Sequence, residues 1–95
     1  MLSKNQIKVI IDVLKPYNPK RIGLFGSVAR NEETPDSDID ILYDFNTPIT
    51  LFNLVDIKNK LTEKLKKNID LVSERAVHPK LKGYIQSDLK IIYEG

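Results

Sequence analysis

The chain of 95 residues contains no cysteine. That excludes a disulfide framework and any cysteine-ligated zinc centre. No apolar run approaches the ~20 residues that a membrane-spanning helix needs. The first residues, MLSKNQIK, lack the apolar core of a secretory signal. A cytoplasmic location and no membrane association are therefore expected. Net charge is only +2, too little to argue for a nucleic-acid partner by itself. Aromatic residues are not interleaved with basic ones as on a single-strand-binding surface. The one histidine, His78, precedes a proline and reads as a loop residue rather than a catalyst. What remains is the composition of an ordinary globular protein, long enough for one modest core, and residues 1–95 are expected to form one domain.

Against that plain background one stretch stands out, Leu24 to Leu42, LFGSVARNEETPDSDIDIL. Aspartate is depleted in strands, yet Asp38 and Asp40 sit in a run with Ile39, Ile41 and Leu42. Alternation along a strand would put both carboxylates on one face and the isoleucines on the other. Paired carboxylates repel and raise each other's pKa unless a cation lies between them. A hard cation such as Mg²⁺ takes one or two carboxylates, waters and substrate phosphates, so the spacing points to a metal that also holds a nucleotide. Upstream, Arg21 to Phe25 reads as a short buried strand. Gly26 permits a tight turn with backbone close to a ligand, and Ser27 starts a short helix whose N–H groups attract phosphate. Taken alone, Gly26-Ser27 is an ordinary strand-to-helix turn; the ordered combination with the two acids is what carries the reading.

The remaining elements follow from periodicity and punctuation. Ser3 caps a helix over Ser3 to Lys15, with Ile7, Ile10, Ile11 and Leu14 at helical spacing. Pro16 and Pro19 end it in a turn. Ser27 to about Arg30 is a short helix, Asn31 to Ser37 a polar loop containing Pro35, and Asp38 to Tyr43 the second strand. Thr50 caps a helix from Leu51 to about Lys67, with an apolar face of Leu51, Leu54, Val55, Leu61 and Leu65. Its lysines, Lys58, Lys60, Lys64, Lys66 and Lys67, read as a solvated face. Ile69 to Val72 is a third strand, His78-Pro79 opens a helix through about Ser87, and Leu89 to Tyr93 is a last strand. The order predicts an α+β fold, a small mixed β-sheet with helices packed on it.

GSVAR followed by DID, with ten residues between Ser27 and Asp38, resembles the signature of the nucleotidyltransferase superfamily that includes DNA polymerase β. The short chain and the form SDIDIL are similar to the minimal nucleotidyltransferases, the MNT proteins of prokaryotic HEPN/MNT toxin–antitoxin modules. Many members carry glycine after the arginine where this chain has Asn31, a residue that tolerates left-handed backbone. A third acid, Asp70, lies in the apolar run NIDLV. If its strand neighbours that of Asp38, the two backbones are ~4.8 Å apart. The resemblance implies that Asp70 completes the metal site and helps take the acceptor's proton. It further implies ATP as substrate and two Mg²⁺ ions held by Asp38, Asp40 and Asp70, with phosphates near Gly26, Ser27 and Arg30. Arg30 has a second reading, a surface pair with Glu33 or Asp36. Asp36 and Asp44 read as structural or solvated.

A chain this short leaves no second domain for a template or a small acceptor, so the expected acceptor brings its own folded surface. The resemblance implies a HEPN ribonuclease toxin, modified by AMP on a hydroxyl such as that of tyrosine, with this chain as antitoxin. The alternative from another class is a binding module that neutralises its partner by contact. A third is an enzyme acting on an RNA end or a small molecule.

Overall fold

A computed structural model describes residues 2–32, 34 and 36–95. Helix α1, Lys4–Leu14, starts at Ser3, whose side chain and that of Gln6 form a reciprocal capping box. A short 3-10 turn and left-handed Asn18 (φ 63°) then lead into strand β1, Pro19–Phe25. Helix α2 is four residues, Gly26–Ala29. Strand β2 spans Ile39–Phe45, helix α3 Leu51–Leu65 and strand β3 Ile69–Ser73. Helix α4, Pro79–Asp88, and strand β4, Lys90–Glu94, complete the fold.

The sheet order is β3-β2-β1-β4. β1 runs antiparallel to β2 and β4, and β2 pairs parallel with β3. The parallel pair requires a crossover, which α3 supplies. The expected α+β architecture, a mixed sheet with packed helices, is the one observed.

One face of the sheet carries the core. Ile22, Leu24, Ile39, Ile41 and Ile69 are buried there against Ile10 and Leu14 of α1 and Ile57, Leu61 and Leu65 of α3. The opposite face is set by alternation. It takes Gly23, Leu42, Asp40 and Asp70, and α4 with Leu89 lies over its Gly23–Leu42 part: Leu42, Ile85 and Leu89 line one cleft, and Leu89 packs on Gly23. His78 caps α4, its Nδ1 accepting from the Lys80 N–H.

Three expectations need correction. β2 begins at Ile39, whose N–H donates to the Asn68 carbonyl, so Asp38 precedes the strand. α3 ends at Leu65 and not near Lys67, because Lys66 turns left-handed (φ 58°). Its inward face is also rotated from the predicted one. Leu51 and Val55 are 74% and 49% exposed, while Ile57, absent from the predicted stripe, is buried with Leu61 and Leu65. Spacing i, i+4, i+8 describes that inner stripe, and packing against α1 and β3 selects it over the Leu51–Val55 line. Of the predicted polar loop, Glu33 and Pro35 lie outside the described residues.

Ile57→Ala is therefore expected to cost about 2–4 kcal/mol of unfolding free energy, and Val55→Ala within about 0.5 kcal/mol. Urea denaturation of both variants checks the pair, and equal costs would contradict the observed rotation.

Candidate active site

Register brings the acids together. Asp40 is the direct partner of Asp70 in the parallel β2–β3 ladder, so their side chains share a face on neighbouring strands. Across the other side of β2, Asp40 pairs with Phe25, the last residue of β1. Gly26 follows with φ +73°, a left-handed conformation that favours glycine. A Cβ at this position would collide with Oδ2 of Asp40. The Gly-Ser bend thus sits directly on the Asp40 carboxylate, for two separate reasons that only glycine satisfies. Ser27 follows it, half-buried.

Asp40 is partly buried and its pKa is raised. Burial is the main cause, followed by repulsion from Asp70 and then from Asp38, while the Arg30 charge lowers it. Asp38 and Asp70 are exposed. Asp40 therefore feels both other carboxylates, although among the described residues no group of three or more His, Cys, Asp or Glu side chains is gathered around one point. Their donor chemistry fits a hard cation: all-oxygen, anionic and incompletely neutralised by protein.

Arg30 ends α2 and is exposed. Its Nε donates to Glu32 Oε2 at 3.0 Å, and its Nη1 to Asp88 Oδ2 at 2.5 Å. These two hydrogen bonds, with the Asp88 charge, raise its pKa further, so it stays cationic. The expected surface pair with Asp36 is not the one formed, and Glu33 lies outside the described residues. Sequence reading missed both partners, the neighbouring Glu32 and also Asp88, 58 positions away with no local signal to reveal it. Asn31, in the place of the family glycine, adopts φ 58° as anticipated. Asp44 is buried and bound at Oδ1 by Arg75 Nε at 2.8 Å, a structural role.

Two clefts flank the acids. One of about 400 Å³ is lined by Asp38 together with Lys66, Lys67 and Asn68. Another of about 230 Å³ includes Asp70 and Lys58. Lys58, read from sequence only as part of a solvated face, lines this cleft together with the third acid.

A raised Asp40 means that the folded chain holds its proton more tightly than the unfolded chain does. Stability then falls as pH rises from the ordinary aspartate range through the raised value. Asp40→Asn, tested without added divalent cation, is expected to melt higher than the parent at pH 7, and the gap is expected to close on acidification. A gap independent of pH, or a lower melting temperature at pH 7, would contradict the raised pKa of Asp40.

Comparison with known proteins agrees with this geometry. The family model described as Polymerase beta, Nucleotidyltransferase matches residues 8–95. A Methanocaldococcus jannaschii relative, provisionally named protein adenylyltransferase MJ0126, is 39% identical over 95 residues, covering 94% of this chain and 97% of its own. Protein adenylyltransferase MntA of Thermococcus cleftensis is 32% identical over 82 residues, covering 81% of this chain and 83% of its own. A crystal structure of a toxin–antitoxin with AMP-PNP contains a chain that superposes with a TM-score of 0.83 at 25% identity, over 99% of this chain and 75% of that one. With the acids on β2 and β3 and the glycine-serine bend over Asp40, this chain belongs to the polymerase β-type nucleotidyltransferase family.

Proposed function

We propose that this protein transfers AMP from ATP to a hydroxyl side chain of a HEPN-type toxin and thereby acts as its antitoxin. The observation that carries the reading is the facing of Asp40 and Asp70 on adjacent parallel strands, with the Gly26 bend pressed on Asp40. Two relatives are named adenylyltransferases, and a toxin–antitoxin complex with an ATP analogue shares the fold. A cytoplasmic location accords with ATP as donor. No described helix is long and apolar enough to cross a membrane.

In this reading the triphosphate lies against Gly26 and Ser27. The Ser27 hydroxyl and the backbone N–H groups of the bend donate to phosphate oxygens. Gly26 lets the phosphates approach the backbone closely. Arg30 reaches the phosphates by exchanging its bonds to Glu32 and Asp88. Asp38, Asp40 and Asp70 are the residues that would hold Mg²⁺, two ions by family resemblance. When bound, Mg²⁺ supplies neutralisation of the phosphate charge and a lower pKa for the attacking hydroxyl.

The acceptor side belongs to Asp70. It is more exposed than Asp40 and lies on an edge strand, where a protein side chain can approach it. Asp70 orients the acceptor hydroxyl and takes its proton. The hydroxyl oxygen forms a bond to the α-phosphorus as the bond to the β-phosphate oxygen breaks, giving the AMP ester and pyrophosphate. Positioning and charge neutralisation supply most of the rate in such reactions.

The test is incubation with ATP labelled on the α-phosphorus, Mg²⁺ and the purified HEPN protein encoded beside this chain. Label is expected to enter that protein. Transfer is expected to fall by roughly 100-fold or more in Asp40→Asn and in Asp70→Asn, and to stop with EDTA. Transfer unaltered by either substitution or by chelation would overturn the assignment.

A further inference from the structure

Helix α3 carries more apolar surface than the core takes up. Its inner stripe is spent on the sheet, but Leu51, Phe52 and Val55 are 74%, 84% and 49% exposed. Leu51 and Val55 stand four apart and Phe52 three from Val55, so the three form one contiguous patch on the first two turns. The Thr50–Asn53 capping box holds those turns, which makes the patch a fixed surface and not a fraying end.

This patch opens into a groove of about 230 Å³ lined by Leu51, Leu54, Val55, Lys58, Asp70 and Leu71. The groove follows β3, which has only β2 as a neighbour and is the edge of the sheet. A polypeptide can therefore enter from the side without disturbing a strand pair. Lys58 and Asp70 share its lining with the apolar residues, and Asp70, whose side chain leaves β3 on the face opposite Leu71, stands at the open edge.

We infer that the patch and groove form the docking surface for the acceptor polypeptide. An apolar segment of the acceptor packs on Leu51, Phe52 and Val55, and this sets its neighbouring hydroxyl beside Asp70. The inference rests on the AMP-transfer reading and adds to it the surface that selects a protein acceptor. Continuity with Asp70 identifies the occupant. A second copy of this chain paired through the same patch would cover the groove and close the approach to Asp70. Leu51, Phe52 and Val55 are positioning residues in this arrangement, since they do not reach the reacting atoms. The groove's size suits a side chain or a single extended segment and leaves the rest of the acceptor outside.

The test uses the double variant Phe52→Ser with Val55→Ser and, as a single change at the most exposed position, Phe52→Lys. Both are expected to keep the parent's circular dichroism and melting behaviour. Affinity for the purified HEPN protein encoded beside this chain is measured by calorimetry without nucleotide, and AMP transfer is followed in parallel. The expected result is at least 10-fold weaker affinity and a matching rise in KM for the protein acceptor, with kcat and the KM for ATP unchanged. Parental affinity in both variants overturns the docking surface while leaving AMP transfer standing. A parent that binds the HEPN protein but transfers no AMP overturns the transfer reading, and the affinity comparison still decides the docking surface. A dimeric parent that the substitutions make monomeric, with acceptor affinity unchanged, assigns the patch to self-association and overturns the inference. A parent that does not bind the HEPN protein overturns both.

Discussion

Repulsion between carboxylates is the constraint around which this structure is arranged. Asp40 faces Asp70 across the β2–β3 ladder, feels Asp38 two residues upstream, and is partly withdrawn from water. Among the described residues no lysine or arginine forms an ion pair with Asp40, and the Arg30 charge acts on it from a distance. Such an arrangement opposes folding in isolation, so something else must hold it. The holder is the apolar alternation of the same two strands. Ile39 and Ile41 face Ile69 and Leu71 in the ladder, on the side that packs against α1 and α3. A slip of one residue would turn the isoleucines out and the aspartates into the core. The core therefore enforces the charge cluster.

The glycine at position 26 is the counterpart of that cluster. β1 is locked to β2 in a register that pairs Phe25 with Asp40, so the chain must turn away immediately above the carboxylate. A side chain there has no room, and the left-handed backbone already disfavours one. The result is a backbone bend and a carboxylate in contact, with Ser27 alongside. Backbone N–H groups of the bend and the oxygens of a carboxylate are thus adjacent.

Helix α3 serves the site from both of its sides. Inwardly, Ile57, Leu61 and Leu65 make the crossover that permits β3 to run parallel to β2 and so brings Asp70 to Asp40. Outwardly, its first turns leave apolar side chains at the mouth of the groove that contains Asp70. Long-range ion pairs complete the frame. Arg30 ties the end of α2 to Asp88 at the end of α4, and Arg75 ties the segment after β3 to buried Asp44. Both join parts of the chain that the helix and strand ladders leave unconnected.

Much of this was legible in the one-dimensional pattern, for reasons that are local. Ser3 and Thr50 mark helix starts because their hydroxyls satisfy N–H groups within three residues. Asn31 marks a left-handed position because its short polar side chain tolerates one. Asp38, Asp40 and Asp70 stand out because charge inside apolar strand runs requires an explanation. Alternation alone placed Ile39 and Ile41 opposite Asp40. Other features had no local signal. The inner stripe of α3 was misread because Leu51–Val55 and Ile57–Leu61–Leu65 are both helically spaced, and packing against α1 and β3 chooses between them. The pairs Arg30–Asp88 and Arg75–Asp44 depend on where α4 and its lead-in come to rest. The sequence by itself singled out the acids and the glycine bend, because charge within an apolar run and a glycine after one are local signals. Tertiary structure decided that Asp40 meets Asp70, and which side of α3 faces solvent, because both depend on strand neighbours and helix rotation, which are settled by burial across the whole chain.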